Sequence, residues 1–289
     1  MNSRLNNKGL VAYIVVLLFM LSPICKANAE SNNDDFGVWT SLNISKKLTD
    51  KLKFELEGEL RTINGVSDTD RRSIGFSMNY DLLSWLKADI GYIYIASFNE
   101  QEKKIKEYIG DDEDGLPIHN YNIDHAYWEQ RDRFNVSLTA SWKIGRIKFS
   151  LRERLQYQYT HSELIYEDKY RFKNMSDPND PFAAPIIEPE EDSPNGGSEL
   201  KNAKRSTTLR SRLTAKWDIK KCKITPFVSV ELFTRTDEWK GHDKLRYRLG
   251  ADYKIDKDNE LSLYYMYQDN HASSSPAGHA VCVGYSFDL

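Results

Sequence analysis

The chain has little cysteine and no long apolar run beyond its N-terminal region. It holds 3 cysteines in 289 residues. After residue 29 no apolar stretch approaches about 18 residues, the length that a membrane-spanning helix needs. If such a chain spans a membrane, it does so with strands, since a closed barrel also satisfies every backbone group in lipid. A basic stripe is missing too, and the formal charge of −3 excludes a nucleic-acid binder.

Residues 1–29 have the pattern of a secretory signal peptide that is cleaved on export. Two cations precede an apolar run over residues 10–21, and Ala27-Asn28-Ala29 supplies a small-x-small cleavage site. The segment carries three of the 40 basic residues and no acid, so the mature chain keeps 37 basic against 43 acidic residues. Cys25 leaves lipidation as an alternative, although Ile24 fits a lipobox poorly.

Apolar and polar residues alternate at period two along most of the mature chain. This alternation predicts strands that have one apolar and one polar face. The pattern is found in eleven segments: 36–46, 51–61, 71–81, 85–96, 128–143, 146–159, 207–217, 223–235, 244–253, 260–268 and 279–289.

The connections between these segments alternate in length. Short turns are expected near 47–50, 82–84, 144–145, 220–221 and 256–258. Longer polar loops are expected near 62–70, 97–126, 160–205, 236–243 and 269–278. Short turns at one end opposite long loops at the other are typical of outer-membrane β-barrels. Residues 174–203, rich in Pro, Asn, Asp and Gly, predict a mobile outer loop.

The last eleven residues form a strand whose apolar face continues to the final position. Gly284-x-x-Phe287-x-Leu289 resembles the C-terminal signal by which the outer-membrane assembly machinery recognises barrels. Two features depart from that signal: Cys282 stands where a polar residue is usual, and the chain ends on Leu rather than Phe. The segment therefore predicts the closing strand of a barrel that faces lipid.

Together these patterns predict an all-β fold, a transmembrane antiparallel up-and-down β-barrel that forms one domain over residues 30–289. Its expected location is the outer membrane of a Gram-negative bacterium. Eleven segments make an odd number, whereas bacterial barrels normally have an even one. We therefore expect 10–12 strands and favour about 12. Either segment 36–46 lies outside the wall, or a strand is missed, or residues 30–35 thread the lumen.

The polar faces of the segments carry rows of charged residues that we expect to line the lumen. They are Glu55, Glu57, Glu59, Arg61, Glu129, Arg131, Arg133, Arg152, Arg154, Arg210, Arg212, Glu231, Arg235, Arg246 and Arg248. Such rows are suited to selecting small anionic or polar solutes. Alternatively, the arginines and carboxylates satisfy one another in a salt-bridged plug, which is the favoured interpretation for most individual residues.

No catalytic, cofactor or metal pattern stands out. His161-Ser162-Glu163 has the residue types of a hydrolase triad, but neighbours on a strand point to opposite faces. The acidic stretches 111–114 and 188–192 lack the spacing of an EF-hand and predict solvated loop tips. Cys222 and Cys282 are expected on different faces of the wall, so we interpret both as free thiols. We expect no cofactor and no enzyme activity.

Several fragments match a known pattern in their order and spacing. They are Trp39, Glu57-x-Glu59-x-Arg61, Glu129-Gln130-Arg131-x-Arg133, Arg152-x-Arg154-x-Gln156, Pro226-Phe227-x-Ser229-x-Glu231-x-Phe233, Arg246-x-Arg248-x-Gly250 and Tyr265-x-Tyr267-Gln268. The fragments span nearly the whole mature chain. They resemble an uncharacterised family of bacterial outer-membrane proteins, the domain of unknown function 2490. The resemblance implies an outer-membrane barrel, but no activity and no functional residues.

Three functions remain open from the sequence. The favoured one is a narrow channel or passive transporter for small polar solutes, with a lumen lined by Arg and Glu. The second is a plugged barrel with a structural or surface-interaction role, and the third is a lipid-modifying enzyme with its site at the rim. In each case we expect a monomer surrounded by outer-membrane lipid and lipopolysaccharide. The barrel-assembly machinery and periplasmic chaperones are its expected partners in folding.

Overall fold

The structure, a computed structural model, describes residues 35–63, 68–111, 117–170, 172–175, 186–189, 197–236, 242–269 and 278–289. The signal peptide expected over residues 1–29 and the lipidation alternative at Cys25 lie outside the described residues. So does most of the segment expected to thread the lumen. Within the described part of the chain, no helix is long and apolar enough to cross a membrane.

The described segments contain seventeen strands. They are β1 Asp35–Lys47, β2 Leu52–Ile63, β3 Asp68–Leu83, β4 Leu86–Asn99, β5 Glu102–Asp111, β6 Pro117–Asp124, β7 Tyr127–Ile144, β8 Ile147–Thr160, β9 Glu163–Tyr170, β10 Phe172–Met175, β11 Ile186–Pro189, β12 Gly197–Lys201, β13 Lys204–Trp217, β14 Ile224–Arg235, β15 His242–Lys254, β16 Asn259–Asp269 and β17 Gly278–Asp288.

Eleven of these strands close into a barrel, in the order β1-β17-β16-β15-β14-β13-β8-β7-β4-β3-β2. Each corresponds to one of the eleven segments predicted from the alternation, so the predicted all-β barrel is confirmed. The strand number lies within the expected 10–12 and is one below the favoured 12. The segment at 36–46 is part of the wall as β1.

The barrel closes on a parallel pair of strands, which the prediction of an antiparallel barrel did not include. β1 and β17 run parallel, with Asp35 opposite Gly278 and Ser45 opposite Asp288. The neighbouring pairs β1–β2 and β16–β17 are antiparallel. The reason is geometric, because in an up-and-down wall with an odd number of strands the first and the last run in the same direction.

The outer surface of the wall is apolar and the inner surface is polar. Ile74, Ile90 and Leu249 point outward and are 56%, 56% and 63% exposed. Short connections join β3 to β4 and β7 to β8, and Gly145 in the second of these adopts a φ of 59°. The left-handed conformation suits glycine because it has no Cβ to clash with the backbone. Alternation and turn residues therefore fix which face of each strand looks inward.

A second compact unit comprises residues 98–129 and 160–204. It contains a four-stranded sheet in the order β12-β9-β6-β5, which we call the satellite sheet, and the two-stranded sheet β10-β11. The polar loops expected at 97–126 and 160–205 are thus largely strands, and the mobile loop expected at 174–203 includes β11 and β12. The many charged residues in these segments give them the polar composition of loops, so the sequence did not predict them as strands. The expected domain over residues 30–289 accordingly contains two compact units.

Candidate site in the barrel lumen

Two cavities lie on the inner face of the barrel. The cavity of about 610 Å³ is at the end of the barrel where the longer connections leave the wall, and we call it the outer cavity. The cavity of about 480 Å³, called the inner cavity, extends toward the short turns. Six residues line both cavities, so the two meet at this level: Trp39, Arg61, Arg71, Arg133, Arg210 and Arg246.

The structure places most of the sequence-predicted lumen residues along these cavities. Arg131 and Arg235 line the outer cavity, and Arg61, Arg133, Arg210 and Arg246 line both. The inner cavity adds Glu55, Glu57, Glu59, Arg152, Arg154, Arg212 and Arg248. Glu231 is completely buried among the arginines instead. Glu129 belongs to the second unit and lines neither cavity.

Glu231 on β14 is the centre of a cluster of arginines. Its Oε1 accepts hydrogen bonds from Arg152 Nη2 and Arg210 Nη2, both at 2.9 Å. Its Oε2 accepts from Arg248 Nη2 at 2.9 Å, while Arg246 Nη1 lies 3.8 Å away. One carboxylate therefore holds guanidinium groups from three strands in fixed positions, through charge-assisted hydrogen bonds.

Cations dominate the lining of the outer cavity. They are Arg61, Arg71, Arg131, Arg133, Arg210, Arg235, Lys244 and Arg246, and Asp70 is the acidic residue in this lining. Several of these cations bond to neutral partners. Arg133 Nη2 donates to the amide oxygen of Gln158 at 2.7 Å, and Arg246 Nη2 donates to that of Gln268 at 2.6 Å. An amide orients a guanidinium but leaves its charge in place, so the cavity is electropositive.

Aromatic rings support the same cations. The guanidinium carbon of Arg61 lies 3.5 Å from the ring centroid of Trp39, and that of Arg246 lies 5.2 Å away. Phe233 is approached by Arg210 at 4.6 Å and by Lys244 Nζ at 5.5 Å. Rings attract cations through their quadrupoles and do not neutralise them.

The inner cavity is more balanced in charge than the outer one. Glu55, Glu57, Glu59 and Asp89 line it together with the arginines. Arg154 Nε donates to Ser137 Oγ at 2.8 Å, and its Nη2 lies 3.4 Å from Asp89 Oδ2. The lumen is therefore positive at the end of the longer connections and mixed toward the short turns.

Some lining residues were not among the predicted set. Arg71, Asp89 and Lys244 line the cavities, and the aromatic supports Trp39 and Phe233 lie beside them. Strand parity places Arg71, Asp89 and Lys244 on the inward face, so that signal was present in the sequence. The same parity places Trp39 and Phe233 on the inward face, but nothing in the sequence shows that their rings lie against cations.

The satellite sheet holds a separate group of three carboxylates. The carboxylates of Asp124, Glu167 and Glu199 offer oxygens that all lie within 4.8 Å of one another. Lysines surround them: Lys104 Nζ lies 2.5 Å from Asp124 Oδ2, and Lys201 Nζ lies 3.0 Å from the same oxygen. The group is thus an ion-pair network, and its lysines occupy the positions that a cation would take.

These contacts shift two pKa values in opposite directions. Burial alone raises the pKa of Asp124, but the hydrogen bonds from Lys104 and Lys201 outweigh it and hold the pKa below its ordinary value. Burial alone lowers the pKa of Lys201, but its hydrogen bonds to Glu199 and Asp124 raise the pKa above the ordinary range. Both residues are therefore charged at neutral pH.

The remaining predicted residues take ordinary places. His161 and Ser162 lie in the link between β8 and β9, and Glu163 begins β9 opposite Lys201, so the three do not share one strand face. Gly284 in β17 lies between β1 and β16, while Phe287 pairs with Asn259 and Leu289 is 67% exposed. Recognition of these last three residues by the assembly machinery stays a prediction. Cys222 is exposed, Cys282 is buried, and both are free.

Comparison with known proteins gives a family and a fold. Residues 36–278 match the family described as "Protein of unknown function (DUF2490)". No curated protein matches the chain. Among solved structures, the translocator domain of autotransporter NalP from Neisseria meningitidis is similar, with 11% identity, a TM-score of 0.50, and coverage of 97% of this chain and 96% of that one.

Two further solved structures are similar over most of their length. The β domain of the Bordetella autotransporter BrkA has 11% identity and a TM-score of 0.43, with 83% of each chain covered. The NanC porin has 12% identity and a TM-score of 0.41, with 88% of this chain and 98% of that chain covered. At such low identity, the likeness to NalP shows the fold alone.

Proposed function

Because the chain belongs to the DUF2490 family, whose description assigns no function, we propose its function from the lumen itself: a narrow outer-membrane channel that passes small anionic solutes. The single observation that carries the proposal is the charge of the outer cavity, where eight cationic residues face one acidic residue. A ring of fixed positive charge raises the local concentration of anions and repels cations. The mixed charges of the inner cavity then narrow the path without reversing this preference.

The apolar outer face supports a membrane location. Leu249 and Leu263 are 63% and 55% exposed on the outer surface of neighbouring strands. An outward band of such residues around a closed wall is suited to lipid, where every backbone group is paired within the barrel. On this proposal the chain is exported by its signal peptide and is inserted by the assembly machinery with the help of periplasmic chaperones. It then works as a monomer among lipid and lipopolysaccharide.

Tethered arginines explain how the passage is kept narrow. Six residues line both cavities, and the Arg210 guanidinium among them is bonded to Glu231. A guanidinium held in this way projects into the lumen without being free to move aside. The same arrangement supports the second candidate, a plugged barrel, because each tethered side chain also fills part of the lumen.

Single-channel conductance of the refolded mature protein in a planar bilayer tests the proposal. We expect steady openings. Under a KCl gradient, their reversal potential should be shifted toward the equilibrium potential of chloride. The double variant Arg131→Gln/Arg235→Gln removes two charges from the outer cavity and should lower the preference for chloride several-fold. The matched control Lys53→Gln/Lys143→Gln removes two charges outside both cavities and should leave the selectivity unchanged. A folded protein that stays silent contradicts the channel and favours the plugged barrel. A conducting protein that prefers potassium contradicts the proposed selectivity for anions.

A further inference from the structure

The cations of the outer cavity include groups without a carboxylate within bonding distance in the described structure. Arg133 donates to Gln158, and Lys244 lies against the ring of Phe233. Arg71 Nε is 3.9 Å from Glu59 Oε1, and this buried Nε has no hydrogen-bond partner. A buried donor without a partner costs free energy, since water no longer solvates it. An anion in the cavity would remove this cost.

Like charges also face each other at the same level. Arg61 on β2 is directly opposite Arg71 on β3, and such a pair is unfavourable across neighbouring strands. Glu59 bonds Arg61 Nε at 2.8 Å and so compensates one of the two arginines. The second, Arg71, has the long 3.9 Å contact to Glu59 and the nearby carboxylate of Asp70. The outer cavity as a whole keeps an excess of positive charge, because its lining has eight cationic residues and one acidic residue, Asp70.

The cations are also held in place before any ligand arrives. Trp39 supports Arg61 and Arg246, and Phe233 supports Arg210, Arg246 and Lys244, at distances of 3.5 to 5.5 Å from the ring centroids. Side chains that are ordered in advance lose less conformational entropy when they bind a ligand. The flat guanidinium groups present paired donors that match a carboxylate or a phosphate.

From these features we infer that the outer cavity is a saturable binding site for a small, multiply charged anion bearing carboxylate or phosphate groups. Arg71, Arg133 and Lys244 are the principal contacts. The volume of about 610 Å³ suits a small-molecule ligand. Several fixed cations around one cavity favour a ligand with two or more anionic groups over chloride or acetate, because one molecule then engages several donors at once. The inference rests on the proposed function for its biological meaning, since a solute held briefly at this site is one that the channel passes.

Binding to the refolded mature protein in detergent tests the site without requiring conductance. Citrate and inorganic pyrophosphate are titrated by calorimetry, with acetate and chloride at matched ionic strength as monovalent references. We expect saturable binding of at least one of the two polyanions and none of the references. The double variant Arg133→Gln/Lys244→Gln should weaken that binding roughly tenfold or more, as expected for lost charged hydrogen bonds. The control Lys53→Gln/Lys143→Gln should bind as the unsubstituted protein does.

Quenching of Trp39 fluorescence gives a second readout on the same samples. Trp39 lines both cavities, so a ligand bound there should change its emission, and the Trp39→Phe variant identifies this signal among those of the six tryptophans. Absence of saturable polyanion binding in folded protein overturns the site. Equal binding by the Arg133→Gln/Lys244→Gln variant and the unsubstituted protein also overturns it.

The failures of the two proposals are distinguishable. An anion-selective channel without saturable binding retains the proposed function and removes the site. Saturable polyanion binding in a protein that is silent in bilayers retains the site and removes the channel.

Discussion

Arg152 on β8 and Glu231 on β14 are joined by a 2.9 Å hydrogen bond, although β13 lies between their strands. Arg210 on β13 donates to the same Glu231 oxygen. The three strands are thus connected through their side chains as well as through their backbones. This arrangement is possible because inward side chains on a curved wall converge.

Glu231→Gln should destabilise the barrel. The substitution leaves buried guanidinium groups of Arg152, Arg210 and Arg248 without their shared counter-charge. Removing one partner of a buried ion pair typically costs about 3 kcal/mol or more. Thermal unfolding in detergent, followed by the loss of the β-sheet circular dichroism signal, should show a lower midpoint temperature. Glu55→Gln is the control, because Glu55 accepts a hydrogen bond from Asn79 rather than holding an arginine cluster. Equal midpoints for the two variants would contradict a central role for Glu231.

Much of this arrangement follows from the sequence. Period-two alternation located all eleven wall strands and the inward direction of Arg152, Arg210 and Glu231. The pairing of these residues did not follow, because strand register and the adjacency of β8 with β13 depend on the whole closed wall. Register between strands distant in sequence is set by long-range packing that no local pattern encodes.

The satellite sheet shows a different limit of the sequence. Its strands carry Asp124, Glu167 and Glu199 on one face, where lysines pair with them. Asp, Glu and Lys have low β-propensity, and a segment rich in them has the polar composition that is typical of a loop. The ion pairs between neighbouring strands stabilise that face, and they become visible only in the three-dimensional structure.

Gly250→Ala should destabilise the barrel more than the same change at Gly58. A Cβ at Gly250 would collide with the Cβ of Tyr264 and the carbonyl oxygen of Leu263, whereas a Cβ at Gly58 meets nothing within 4 Å. Overpacking of this kind costs roughly 1–3 kcal/mol. Thermal unfolding of both variants in the same detergent gives the comparison. A Gly250→Ala variant as stable as Gly58→Ala would contradict the close packing of β15 against β16 at Gly250.

Trp39→Cys should form a disulfide with the native Cys282. The two positions are paired across the parallel seam, and Trp39 packs against the buried cluster that contains Cys282. The experiment uses a Cys222→Ser background and mild oxidation, and a cross-link appears as a shift in electrophoretic mobility that reductant reverses. Asn43→Cys is the control, because it lies four residues along β1, roughly 13 Å away. Cross-linking at Asn43→Cys in preference to Trp39→Cys would overturn the parallel register.

The satellite sheet should lose protection in acid. The pKa of Asp124 is lowered by the fold, so its contribution to stability is present above the ordinary carboxyl pKa and is lost as the pH falls through the lower folded value. The pKa of Lys201 is raised, so its contribution is present below the ordinary lysine pKa and is lost as the pH rises through the higher folded value. Stability from this pair is therefore greatest across the neutral range.

Hydrogen exchange, corrected for the intrinsic rate at each pH, measures this dependence in β6, β9 and β12. We expect protection to fall in acid below about pH 4, the ordinary range of an aspartate carboxyl. Asp124→Asn removes the titrating group. It should make protection less dependent on pH in acid and should lower protection at pH 7. If the loss of protection in acid is unchanged in Asp124→Asn, other carboxylates cause that loss.

The parallel seam also has a kinetic consequence. Ser45 and Asp288, which pair across it and share a hydrogen bond, are 243 residues apart in the chain. None of the seam can form until the final strand has been delivered, and contacts of such long sequence separation are slow because a large loop must close first. Until then, both edge strands present unpaired backbone groups that invite pairing with other chains. Before the barrel closes, β1 and β17 are therefore the strands at which we expect aggregation to begin.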